Sequence, residues 1–162
     1  MSQDAADQQD ERWLEEAVAL AVGNVAAGGG PFGALIVRDG AVIATGVNAV
    51  TTTNDPTAHA EVVAIRAACQ KLGDFRLIGC LLVTSCEPCP LCLAAALWAR
   101  VERVVYAADR DDAARGGFDD RAFYELFATP REQWPMAVTS APIADPVAPF
   151  TAWQAKPDRV DY

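Results

Sequence analysis

A single histidine, His59, stands two residues before Glu61 in the tripeptide His59-Ala60-Glu61, and a run Pro88-Cys89-Pro90-Leu91-Cys92 follows it. One imidazole and two thiols are donor types that zinc favours, and a catalytic zinc takes three protein ligands and keeps a fourth position for water. His59, Cys89 and Cys92 supply that count. Cys89 and Cys92 are three apart, so in a helical first turn both sulfurs face the same way. Bound zinc lowers the pKa of its water toward ~7. Glu61 need not be a ligand: a carboxylate beside that water can take its proton and pass it on, help worth roughly 100- to 10,000-fold. Residue types and spacing point to metal-assisted hydrolysis.

Other readings of the same residues stay open on sequence. Cys86 could join His59, Cys89 and Cys92 in a closed four-ligand structural site, although Pro88 suggests a helix that starts after Cys86 and leaves it on another face. The cysteine run also resembles an iron–sulfur motif, but no suitable fourth cysteine follows Cys92. Cys69 and Cys80 lie among apolar residues and read as core. Gly28-Gly29-Gly30 follows a helical stretch rather than opening one, which argues against a phosphate cradle.

The elements that must position these groups are legible from periodicity. Residues 1–11 are polar and acidic and read as a frayed end. Apolar positions from Trp13 to Ala27 recur at helical spacing and stop at Gly28-Gly29-Gly30-Pro31. Two β-rich runs, Gly33–Val37 and Val42–Val47, flank Arg38-Asp39-Gly40, a hairpin signal. A polar stretch from Thr51 to Thr57 leads to a helix from about Ala58 to Leu72, which puts His59 and Glu61 in its opening turn. Cys80–Thr84 reads as a buried strand, a helix starts near Pro88 and runs through Ala94–Ala99, and Arg103–Ala107 reads as another strand. An Asp-rich loop (Asp109–Asp120), a helix near Arg121–Phe127 and a proline-spaced tail complete the chain. Strands alternating with helices indicate one layered α/β domain.

Bulk properties narrow the class. At 162 residues and 52% hydrophobic, the chain suits a single globular domain with a substantial core. No apolar run approaches the roughly 20 residues that a membrane span needs. The opening Met1-Ser2-Gln3-Asp4 carries no signal pattern, and cysteines paired with a histidine fit reduced thiols and metal, so a cytoplasmic location is expected. The net charge is −9, with 13 basic against 22 acidic residues. Nucleic-acid binding normally demands a Lys/Arg surface, so a small, nearly neutral substrate is expected instead.

The pattern H-x-E…P-C-x-x-C is the signature of zinc-dependent base deaminases. Beyond it, the chain resembles bacterial guanine deaminases of the cytidine deaminase superfamily over about three-quarters of its length. The likeness runs through Pro31-Phe32-Gly33-Ala34, Thr53 to Glu61, Thr84 to Cys92 and Trp98-Ala99-Arg100. It resumes in Ala113-Ala114-Arg115-Gly116-Gly117-Phe118-Asp119-Asp120, in Pro149-Phe150-Thr151-Ala152-Trp153 and at Tyr162. The Gly-Phe-Asp-Asp segment and the tail are what point to guanine. Between Thr129 and Val147 the chain departs from the family pattern, where Pro130, Pro135, Pro142 and Pro146 set a different path.

The resemblance implies a three-layer α/β/α sandwich with a five-stranded mixed sheet, zinc as cofactor and conversion of guanine to xanthine and ammonia. It implies that Asn48 holds the purine edge, that Asp120 accepts hydrogen bonds from guanine N–H groups and that Tyr162 closes the pocket. Phe32 and Trp98 are candidate ring contacts. Residues 147–162 are expected to form a lid swapped between the subunits of a homodimer. The ordinary alternatives are a turn at Asn48, a helix cap at Asp119 and Asp120, and a core position for Trp98. Rival activities are deamination of cytosine, a guanosine-type nucleoside or an amino-triazine, and deamination of tRNA adenosine. The last shares His-Ala-Glu and Pro-Cys-x-x-Cys but is disfavoured by the acidic balance. A non-catalytic zinc module is the alternative of a different class.

Overall fold

Alternation along one strand divides the core of this molecule between two faces. In the computed structural model, which describes residues 3–161, β1 (Gly33–Arg38) lies inside the sheet. Leu35 and Val37 point to one face, where they pack with Val83 against Trp13 and Ala17 of the long helix α1 (Gln3–Ala26). Ala34 and Ile36 point to the other, against Ala60, Ala64, Ile65 and Ala68 of α3 (Ala60–Leu72) and Ala96 of α4 (Pro90–Trp98). A side-chain period of two is what lets one strand serve both layers.

The sheet order is β2-β1-β3-β4, with β2 (Ala41–Val47) and β3 (Cys80–Cys86) antiparallel to β1, and β4 (Arg103–Ala108) parallel to β3. Asp39 and Gly40 turn the β1–β2 hairpin with φ of 52° and 72°. Those are the positive angles of a two-residue turn whose twist matches the strands. The helix-on-both-sides sandwich is as expected; the sheet is mixed, but it has four strands rather than five. After β4 the described chain turns to short helices and a tail broken by Pro130, Pro135, Pro142 and Pro146. Proline lacks the N–H that a ladder needs, and no strand follows β4 among the described residues.

Three local expectations also need correction. The acidic N-terminal stretch is helical from Gln3, and Asp10 receives two bonds from the Arg103 guanidinium of β4, at 2.6 and 2.9 Å. The polar stretch before α3 contains one helical turn, α2 (Val50–Thr53), which ends at Asn54 with φ 55°. The Asp-rich loop contains α5 (Arg110–Arg115), because Asp109 and Asp112 bond reciprocally to each other's backbone N–H as a capping box. Helix α6 (Arg121–Leu126) follows as expected.

The chain divides into two units, one ending at Tyr124 and one starting at Glu125. The second holds a short 3₁₀ turn (Arg131–Gln133) and α7 (Ala148–Ala155); within it Phe127 and Trp134 meet edge to face at 5.4 Å. No helix among the described residues is long and apolar enough to cross a membrane.

Candidate active site

Two helix starts bring the metal-binding side chains together. His59 is the N-cap of α3 and Cys89 the N-cap of α4, both in extended backbone, with Pro90 opening α4. Proline suits that first position because its missing N–H would have had no helical partner. Cys92 then falls in the first turn, buried. Helix α3 packs on β1 and β2 and touches α4, so the two N-termini converge beyond the end of β3.

The fit to zinc can be judged from distances. Cys89 Sγ and Cys92 Sγ lie 3.5 and 3.4 Å from His59 Nδ1, and 3.6 Å from each other. Zinc bonds of about 2.3 Å to sulfur and about 2.0–2.1 Å to nitrogen imply tetrahedral edges of roughly 3.4–3.8 Å. The triangle has the size of one face of that tetrahedron. It is also the one group of at least three His, Cys, Asp or Glu side chains among the described residues with its ligand atoms clustered for a metal. The nitrogen facing the sulfurs is Nδ1, a choice that sequence does not reveal.

Cys86 does not join them. Its Sγ approaches the Asp109 carbonyl at 3.7 Å, and burial pushes its thiol up to about 11. It therefore stays a neutral thiol, a poor ligand. Cys89 is instead held as a thiolate, down at about 4, first by a hydrogen bond from Cys92 and then by His59. Cys92 is correspondingly raised, because it supplies that proton. A cation at the centre of the triangle would take the place of the shared proton.

Glu61 occupies the first turn of α3 and is only 6% exposed. Burial raises its carboxyl above the ordinary value, with a hydrogen bond from Cys92 opposing the rise. Glu61 therefore holds a proton more readily than an exposed carboxylate does, beside the ligand Cys92.

Asp120 faces the same cluster, within electrostatic reach of Cys89 and His59. Its Oδ1 is buried with no hydrogen-bond partner in the protein. Such an acceptor is costly to leave unmet, and a ligand N–H would satisfy it.

Asn48 follows β2, with its backbone N–H bonded to the Phe32 carbonyl at 3.1 Å. Its Oδ1 accepts from the Val50 N–H at 3.3 Å, the turn geometry that is its ordinary alternative. A Cβ on Gly30 would come within 2.8 Å of that oxygen, so glycine is what lets the loop pass. Phe32 meets Phe118 edge to face at 5.1 Å, close in sequence to Asp120. Trp98 ends α4, six residues past Cys92, and is 61% exposed, with the Arg100 guanidinium 6.0 Å from its ring. Tyr162 lies outside the described residues.

Sequence reasoning missed Asn24. Its Nδ2 donates to the carbonyls of Gly30 and Asn48 at 2.7 and 2.8 Å, which ties the glycine loop to the Asn48 backbone. The only cue was an amide near the end of an Ala/Val-rich helix, just ahead of three glycines. Glu87, Arg110 and Tyr124 were missed too; nothing in their spacing marks them as neighbours.

Comparison with known proteins agrees with this geometry. Residues 7–108 match the family described as the cytidine and deoxycytidylate deaminase zinc-binding region. Guanine deaminase of Bacillus subtilis is 51% identical over 94% of this chain and 98% of its own length; its X-ray structure superposes with a TM-score of 0.91. The structure of guanine deaminase from Nitrosomonas europaea, 38% identical, covers 67% of this chain and 63% of its own, with a TM-score of 0.64. A tRNA-specific adenosine deaminase of Buchnera aphidicola is 33% identical over 73% of this chain and 78% of its own length. With the ligand triangle, the buried glutamate and a match over most of the sheet in agreement, the chain belongs to the cytidine and deoxycytidylate deaminase zinc-binding family.

Proposed function

We propose that this chain is a zinc-dependent guanine aminohydrolase, converting guanine and water to xanthine and ammonia. The observation that carries the substrate is the end-to-end match to a guanine deaminase, 98% of whose length is covered. His59, Cys89 and Cys92 hold the metal, which when bound supplies a water acidic enough to react at neutral pH. Glu61 would take a proton from the attacking water as the water's oxygen bonds to C2, and give that proton to the adjacent ring nitrogen. It then takes the proton of the hydroxyl now on C2 and passes it to the amine as the C2–N bond breaks and the C2 carbonyl forms, and ends the cycle as the carboxylate it began as. Asp120 accepts from guanine N–H groups through its unpartnered Oδ1. Asn48 reads the purine edge, and Phe32 supplies an apolar wall. A carboxylate and an amide match the donors and acceptor of guanine, and an analogue lacking them leaves buried groups unmet. Roles for Trp98 and Tyr162 rest on the resemblance alone.

The homodimer belongs to the same reading, with residues 147–162 capping the partner's site. Support comes from the apolar side chains Phe127, Met136, Ile143 and Phe150, each more than half exposed in the single chain. Such a surface calls for a cover. Five free cysteines suit a reducing compartment, the cytoplasm. The acidic balance suits a free base rather than tRNA.

Ammonia release by zinc-loaded protein tests this, with guanine beside cytosine, adenosine, guanosine and an amino-triazine, each paired with Glu61→Gln. Guanine turnover is expected, falling by roughly 100- to 10,000-fold or more in the variant while zinc stays bound. Turnover of a different base alone would overturn the roles of Asn48 and Asp120. Full zinc occupancy with no turnover of any of them would favour a structural zinc module.

A further inference from the structure

The unpartnered Oδ1 of Asp120 raises a question of positioning. No protein donor orients that oxygen, so its place must be set through the backbone that carries it. That backbone enters α6, where the Phe123 N–H bonds to the Asp120 carbonyl at 2.9 Å. The next residue, Tyr124, donates its hydroxyl to the Pro88 carbonyl at 2.6 Å. Pro88 immediately precedes the ligand Cys89. The Arg110 guanidinium lies 3.8 Å from the centre of the Tyr124 ring, the distance of a stacked cation–π contact. Glu87, on the other side of Pro88, accepts from the Arg110 backbone N–H and Nε at 3.1 and 3.0 Å and from its Nη2 as well. Finally, the Glu87 N–H bonds to the Ala108 carbonyl at 2.8 Å.

These contacts close a ring: Glu87 and Pro88 of the β3–α4 loop, Arg110 at the start of α5, and Tyr124 on α6. The geometry points to Tyr124 and Arg110 as positioning residues that fix the spacing between Asp120 and the Cys89 side of the metal centre, and so set how the base is held. The proposal rests on the guanine reading of the site. Asp120 and Cys89 sit on loops 31 residues apart in sequence. The clamp joins the two loops through side chains of the β3–α4 loop, α5 and α6. Charge-assisted, forked pairing and stacking suit Arg110 to this work, and lysine would keep the charge while losing both.

Tyr124→Phe removes one hydroxyl and leaves the stacked ring, so the variant is expected to fold. In zinc-loaded protein we expect KM for guanine to rise about 5- to 10-fold, with kcat within twofold and zinc content unchanged. In an Asp120→Ala background the same substitution should change KM little, because Tyr124 acts through Asp120. Arg110→Lys should reproduce much of the KM effect. An unchanged KM, loss of zinc, or equal effects in both backgrounds would overturn the inference. Hydrogen exchange gives a readout free of turnover: the Phe123 amide should exchange at least tenfold faster in Tyr124→Phe, with amides of β1 unaffected. If the wild-type protein turned over no guanine, the substrate reading would fail, and the clamp would stand or fall on that exchange result alone.

Discussion

His59, Cys89 and Cys92 form a site because each has a donor that lone proximity makes chemically uncomfortable. Two thiols and an imidazole within 3.6 Å compete for protons, so Cys89 is driven down and Cys92 up. A divalent cation resolves that competition. Glu61 was marked by its two-residue spacing from His59, but its burial, and hence its raised proton affinity, is a property of the packed helix. Asp119 and Asp120 show how neighbours diverge. Asp119 is exposed and held down to about 2 by the Arg121 side chain, then by the Arg121 backbone N–H. Asp120 is raised by burial. A depressed carboxyl contributes stability above its ordinary value of 3.8, and that contribution is lost as pH falls toward about 2. A carbon-13 titration should therefore place the Asp119 midpoint well below 3.8, moving up toward that value in Arg121→Ala. A midpoint already at the ordinary value in the wild-type protein would show that the pair does not form in solution.

Elements set the aim of these residues. Helix α3 can present His59 and Glu61 only because β2 comes hard against its first turns. Gly46 makes that approach possible: a Cβ there would strike the Ala60 carbonyl and lie 2.5 Å from the Ala64 nitrogen. Both are helix backbone, which cannot step aside as a flexible side chain could. Gly46→Ala should therefore destabilise by about 1–3 kcal/mol, the usual cost of overpacking. For a chain of this size that is a fall of roughly 2–12 °C in Tm. Differential scanning calorimetry measures it, and an unchanged Tm would refute the close approach. The hairpin, α3 and the buried β3 were legible because each has a clean local period or a turn residue. The helix inside the Asp-rich stretch was not: its apolar face is slight, and it owes its existence to the capping box at Asp109.

At the scale of the whole molecule, the tail is the open element. Its exposed Phe127, Met136, Ile143 and Phe150 are more apolar surface than a lone chain usually presents. Deleting residues from Pro149 onward should convert a dimer to a monomer in light scattering and lower guanine turnover at least tenfold, with bound zinc retained. An unchanged dimer with unchanged turnover would remove the lid. Sheet size is also decided at this scale. The resemblance led to five strands, yet strand pairing is a non-local event, and the described residues form a sheet of four.

What the sequence determined by itself is chemistry carried by identity and short spacing. A lone histidine and a Pro-Cys-x-x-Cys run specify the metal donors wherever the helices start, and a glutamate two residues after the histidine marks the carboxylate proposed to carry protons. The faces of β1, the hairpin turn and the opening turn of α3 follow from local periods of two and 3.6. Tertiary structure alone decided which imidazole nitrogen meets the sulfurs and that Cys86 turns away. It alone left Asp120 with an unmet oxygen and joined Glu87, Arg110 and Tyr124 around the ligand loop. Those contacts span residues far apart in the chain, and distance across a fold is set by packing rather than by any local pattern.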